Sequence, residues 1–325
     1  MSLYTLHNEE YIQVKVPLPF PLRWVNGYLI RGDDGYTLID PGLHTVASVE
    51  CWEAVLKELR LSWKDMEQIV LTHHHPDHYG LAGLLQEKSG APVRMSAKGW
   101  EQAKLLWGEG QPMTAALLSL FASHGLPDEL AGPMKSHMDD FVPMVSPQPD
   151  VSLITIGEPI RLGNSVYETI HTPGHAAGHV CFYLPERQAM ICGDHVLPQI
   201  SPNISYLPFG VDDNPLDSFL RSLEHIGEYE VSWAYPGHRE PFSTFGKRVR
   251  ELLDHHEIRL EAMRAQLAGE SLTAYQVCRA TFGDRLTLHQ MRFALSETLA
   301  HLIYLEKTER IRSLEHEGIV LFQAL

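Results

Sequence analysis

Residues 71–80, LTHHHPDHYG, constrain this chain more than any other stretch. Positions 73 to 78 hold His73, His75, Asp77 and His78, four side chains able to bind a metal. An apolar run precedes them and a glycine follows, which fits a loop leaving a buried strand. On such a loop alternate residues can turn toward one point. His73 and His75 can then share one ion while Asp77 and His78 serve a second. His74, between two candidate ligands, is expected to point the opposite way and serve structure.

Composition narrows the setting. A chain of 325 residues has room for one large domain or two. An apolar fraction of 44% and a charged fraction of 21% are ordinary for a globular protein. No apolar run reaches the roughly 18 residues of a membrane span. The opening MSLYTLHNEEYIQVKV lacks the basic region and apolar core of a secretory signal. Cys51, Cys181, Cys192 and Cys278 form no CxxC and fit small core residues in a reducing, cytoplasmic setting. A net charge of −15 argues against nucleic acid as a partner. A small-molecule substrate is the expectation, with no membrane.

The chain reads in order as strands at 11–16, 25–31 and 36–40, with a GDDG turn between the last two. Helical spacing covers 46–60, and a short strand at 68–71 delivers the histidine loop. A helix is expected from Gly80 to Lys88, its N-terminus adding positive charge near the ligands. After a strand at 92–96, residues 97–150 lose strand character and read as a helical insertion, either a packing layer or a lid that shapes a pocket. Strands return from 151 to 170. Three strand ends then repeat one device of tight turn and ligand: HTPGH with His175, GDH with Asp194, and YPGH with His238.

These motifs together resemble those of the metallo-β-lactamase-fold hydrolase superfamily, over roughly residues 10–245 and in the same order. The resemblance implies an α+β fold, a four-layer αββα sandwich with the site at one edge between two sheets. Residue by residue, it gives His73, His75 and His175 to a first metal, and Asp77, His78 and His238 to a second, with Asp194 bridging. Asp40, in LIDPG, matches the family's early aspartate, which supports the site from behind. Residues 1–245 are then the catalytic domain, and 246–325, three helices and a hairpin, resemble the winged-helix-like tail of some members. That tail interleaves Arg292, Arg310 and Arg312 with Glu297, Glu306, Glu309, Glu315 and Glu317, so packing, pocket completion or a homo-oligomer contact suits it better than DNA binding.

Imidazole and carboxylate without thiolate favour two Zn²⁺ ions, with Fe or Mn also compatible. Two divalent ions sharing a water bring its pKa toward neutrality and yield a hydroxide nucleophile, which Asp77 can orient. Asp77 and Asp194 are the catalytic candidates. His195, next to Asp194, is a candidate acid or substrate contact, and Tyr79 and Tyr206 are candidates for the pocket. His171 and His179 are expected to hydrogen-bond within their loop or to support His175. His255 and His256, on a later helix, read as an exposed pair.

Three functions compete. The first is hydrolysis of a small ester, thioester or lactone, for which HTPGH beside GD resembles glyoxalase II and its relatives. The basic residues with which that enzyme holds glutathione have no counterpart in this tail. Leu197 stands where lactonases of this fold carry a tyrosine, leaving Tyr206 to fill that role. The second is a phosphodiesterase or nuclease using the same two-metal site, against which the acidic balance counts. The third is a metal-binding protein without activity, which a complete ligand set disfavours. The fold name does not imply β-lactamase activity.

Overall fold

The structure, a computed structural model, describes residues 3–325. It begins with an antiparallel run of β1 (Tyr4–His7), β2 (Tyr11–Pro17), β3 (Trp24–Arg31) and β4 (Tyr36–Ile39). Helix α1 (Val46–Leu59) then crosses to β5 (Met66–Val70), which lies parallel to β4. Thr45 caps α1 by accepting the Ser48 N–H, and Arg60 ends it in the left-handed region at φ 59°. Trp52, buried on α1, donates its indole N–H to the Pro41 carbonyl at 2.7 Å. That bond ties the turn after β4, and with it Asp40, to the helix layer.

The helix expected from Gly80 to Lys88 is present from Ala82 to Ser89, and a separate helical turn precedes it. Pro76 opens a one-turn helix, α2 (Pro76–Tyr79), and α3 (Ala82–Ser89) follows. Proline's fixed φ suits the first helical position, so Asp77 and His78 sit on a helical turn, while His73 and His75 precede it. Next come β6 (Val93–Ser96), the helices α4 (Ala97–Trp107), α5 (Pro112–Ser123) and α6 (Asp128–Asp139), and β7 (Val151–Ile154). The first sheet runs β1 to β7 in sequence order.

The second sheet is built from β8 (Ile160–Leu162), β9 (Ser165–His171), β10 (Val180–Leu184) and β11 (Ala189–Gly193), with α7 (Pro215–Gly227) leading to β12 (Trp233–Pro236). Its spatial order is β12-β11-β10-β9-β8, with β12 parallel to β11.

Alternation along the strands shows how the layers stack. On β10, Val180, Phe182 and Leu184 face the first sheet, where they share a core with Tyr28, Ile39 and Val70. Cys181 and Tyr183, on the opposite face of β10, pack with Leu223 of α7. On the first sheet Leu38 and Ile69 turn outward to Trp52 and Leu85. Both sheets are therefore covered by helices, the four-layer αββα arrangement.

The C-terminal segment is α8 (Phe245–Gln266), α9 (Ala274–Phe282), α10 (Leu288–Lys307) and the hairpin β13 (Ile311–His316) with β14 (Ile319–Ala324). Its buried Leu260, Leu295 and Phe322 belong to the same core as Phe121 of α5, Met134 of α6 and Leu223. The expectation of an exposed His255–His256 pair fails. His256 is fully buried, its Nδ1 3.1 Å from Nε2 of His301 on α10, because α8 turns that face toward the packed helices. Among the described residues no helix is long and apolar enough to cross a membrane.

Candidate metal centre

The centre forms where β4, β5, β9, β11 and β12 end along one edge of the sandwich. Asp40 follows β4 with φ 49°, a left-handed conformation uncommon for a side chain with Cβ and typical of functional turns. Its buried carboxylate accepts the Thr72 N–H at 2.8 Å, the Thr72 hydroxyl at 2.6 Å and His78 Nδ1–H at 2.8 Å. The Thr72 hydroxyl hydrogen is thereby used, so its oxygen accepts His73 Nδ1–H at 2.9 Å. His175 Nδ1–H donates to the Asn203 carbonyl at 2.7 Å, and His238 Nδ1–H to the Trp24 carbonyl at 3.0 Å. Each of these four rings is held by Nδ1 and offers Nε2 to the centre. His75 is reversed, its Nδ1 lying 3.1 Å from His73 Nε2.

Three groups of three donor atoms result, of which one, Asp40 with His73 and His78, is the hydrogen-bonded support just described, and the other two face the centre. His73, His75 and His175 have ligand atoms within 4.8 Å of one another, as do Asp77, His78 and His238. Asp194 lies between the groups. Its Oδ1 is 3.4 Å from His78 Nε2, and its Oδ2 is 3.3 Å from His238 Nε2 and 3.7 Å from His175 Nε2. Asp77 Oδ2 is 3.2 Å from His238 Nε2. Gly237 makes this approach feasible, since a side chain there would collide with the Asp194 carboxylate and the His78 ring. His179 steadies Asp194 from behind, its Nε2 accepting the Asp194 N–H at 3.2 Å while Nδ1 meets the Thr172 hydroxyl at 2.7 Å. His171 Nε2 bonds the Ala177 carbonyl at 2.8 Å, within its own loop.

The two groups differ in charge. Burial, followed by repulsion from neighbouring imidazoles, pushes His73 and His75 well down, and burial lowers His175, so that group is three neutral rings. Burial also opposes charge on His78 and His238, but Asp194 and Asp77 outweigh it and hold both up, His238 at about 10. Protons and a divalent cation compete for those lone pairs. The residues fit a bound metal. His78 Nε2, His175 Nε2 and Asp194 Oδ1 are buried without a hydrogen-bond partner, a costly condition that a cation relieves. Imidazole and carboxylate suit a divalent ion such as Zn²⁺, Fe²⁺ or Mn²⁺.

Beside the three-histidine group opens a cleft lined by His75, His175, Trp107, Met138, Leu207 and Arg292 among others. His74 lines it too, with neither ring nitrogen hydrogen-bonded. The three further pocket candidates stand elsewhere. His195 is fully buried, bonded through Nε2 to the Ser222 hydroxyl at 3.1 Å and packed edge-on against Phe219. Burial lowers it to about 3, so it is neutral. Tyr79 is buried with its hydroxyl on Gln148 Oε1 at 2.6 Å, and Tyr206 packs into the helical core. Pro76, Ser205 and Leu207, neighbours of Tyr79 and Tyr206 in sequence, line the cleft, but the two tyrosine side chains turn into the layers behind it. Sequence reasoning missed Arg292, to which no motif points, and the support of Asp194 by His179, which the HTPGHAAGH spacing did signal as a local role.

Comparison with known proteins agrees with this geometry. The Bacillus subtilis protein named "Probable metallo-hydrolase YqjP" is 27% identical over 98% of each chain. An atrochrysone carboxyl ACP thioesterase of Aspergillus fumigatus is 28% identical over 35% of this chain and 33% of its own. A metallo-beta-lactamase family protein of Thermus thermophilus superposes with a TM-score of 0.85 at 33% identity, over 97% of this chain and 99% of that one. Residues 260–325 match the family described as the metallo-beta-lactamase-like C-terminal domain. Residues 22–238, which carry every donor described above, match the metallo-beta-lactamase superfamily, and the chain belongs to it.

Proposed function

We propose that the protein is a dinuclear metal-dependent hydrolase of small carboxylic esters or thioesters. The observation that carries this reading is Asp194, whose carboxylate lies between the two donor groups, Oδ1 near His78 and Oδ2 near both His238 and His175, beside an apolar cleft. Divalent ions at such groups polarise a carbonyl and bring the pKa of a neighbouring water toward neutrality. The chain's residues do the rest. Asp40 and Thr72 orient the His73 and His78 rings, and the apolar cleft excludes bulk water from the acyl group. Asp77, the more exposed of the two carboxylates, takes up the proton of the attacking water and orients it. The thioesterase name of one distant relative supports an acyl substrate. Tyr206, the residue that would stand in for a lactonase tyrosine, packs away from the cleft, which favours open-chain esters over lactones.

The test is a parallel assay of the zinc-loaded protein with a thioester, a γ-lactone and bis-p-nitrophenyl phosphate. Turnover of the thioester, lost together with bound metal in His75→Ala, is the expected result. Exclusive turnover of the phosphodiester, or full activity in a metal-free His75→Ala protein, overturns the reading.

A further inference from the structure

We propose that Arg292, on the C-terminal helix α10, is a binding site for a substrate carboxylate, so that the tail selects acyl substrates bearing a negative charge. Arg292 lines the same cleft as His75 and His175, yet it is only 8% exposed. Among the described residues it has no ion pair and no hydrogen bond, and its Nε is buried without a partner. Aromatic rings pack against it: the guanidinium lies 4.4 Å from the Phe293 ring centre and 5.4 Å from that of Phe141. Stacking holds the fork in place but does not satisfy its N–H groups.

A buried cation is strongly disfavoured unless an anion and hydrogen bonds accompany it. Among the described residues none forms an ion pair or hydrogen bond with Arg292. The next acidic residue along α10, Glu297, accepts from Asn203 Nδ2 at 2.8 Å and lies 3.8 Å from Arg259, so it is engaged elsewhere. His137 and His289, nearby, are both pushed down by burial and by Arg292, and cannot offset its charge. Burial lowers Arg292 itself to about 10, which leaves it charged at neutral pH. A planar fork with free N–H groups matches a carboxylate in two-point contact. Among the described residues no second lysine or arginine lines the cleft, so a single negative charge fits better than a phosphate dianion. Trp107 and Met138, also on the cleft wall, would hold the apolar body between that carboxylate and the scissile carbonyl.

The catalytic part of this inference rests on the hydrolase reading, whereas the binding part does not. In the first arm, benzenesulfonate and neutral methyl phenyl sulfone are titrated calorimetrically into zinc-loaded protein, since a sulfonate carries one charge and is a poor metal ligand. Wild type is expected to prefer the sulfonate by about tenfold or more, a preference Arg292→Met abolishes and Arg292→Lys partly keeps. In the second arm, Arg292→Met lowers kcat/KM for 4-nitrophenyl hydrogen glutarate about 10- to 100-fold, mainly through KM, and spares the corresponding methyl ester. Absence of a preference in wild type, its survival in Arg292→Met, or equal loss of both probes overturns the proposal. If neither ester is turned over but the sulfonate preference exists and is lost in Arg292→Met, the hydrolase reading fails and the Arg292 site stands.

Discussion

Two clusters of buried histidines in this molecule have opposite characters. At the strand ends, His78 and His238 face Asp77 and Asp194, which hold their protons on against burial. Between α8 and α10, His256 Nδ1 and His301 Nε2 lie 3.1 Å apart, and His301 Nδ1 bonds the Glu297 carbonyl at 2.8 Å. No carboxylate raises this second pair, and burial lowers His256 to about 2 and His301 to about 4. Burial alone makes a neutral, structural histidine. Carboxylates converging on the ring nitrogens make a place for a cation. Among the described residues, every group of three or more candidate donors lies at the strand-end centre.

The contrast can be tested by disturbing each cluster in turn. Asp40→Asn alters the acceptor that orients His78 and, through Thr72, His73. It is expected to weaken metal affinity about 10- to 100-fold, measured by competition with a chelator. His301→Leu, in the other cluster, should leave metal affinity unchanged. Equal losses in the two variants would erase the distinction.

A smaller effect should appear in acid. His301 has its folded value near 4, below the ordinary 6.5 of the unfolded chain, so the unfolded state binds the proton more readily. Its contribution to stability is whole above pH 6.5 and is lost as pH falls toward 4. The slope is at most about 1.4 kcal/mol per pH unit for one such group. Urea unfolding of His301→Leu across this range should therefore show a shallower decline than wild type. Parallel declines would mean that the pair is not buried neutral.

The sequence made the centre legible because its ligands obey local rules. His75, His175, Asp194 and His238 each stand at a strand end, where hydrophobic alternation stops and a turn begins, and a single chain shows that pattern directly. The layer order was legible for the same reason, through runs such as Val180–Leu184. The cleft was not legible. His195, Tyr79 and Tyr206 lie close in sequence to ligands or cleft residues, but packing turns their side chains inward. Arg292 sits in an apolar helix with no motif, and reaches the cleft only because α10 docks beside α6 and α7. The burial of His256 depends on the same docking, which no local pattern around His255 records.

On the dinuclear reading proposed above, Asp194 stands between two metal sites. Anomalous diffraction from zinc-loaded crystals tests it most directly. Two peaks are expected, one among His73, His75 and His175 and one among Asp77, His78 and His238, with the Asp194 carboxylate between them. A single peak under saturating zinc, or peaks outside these residues, would contradict it.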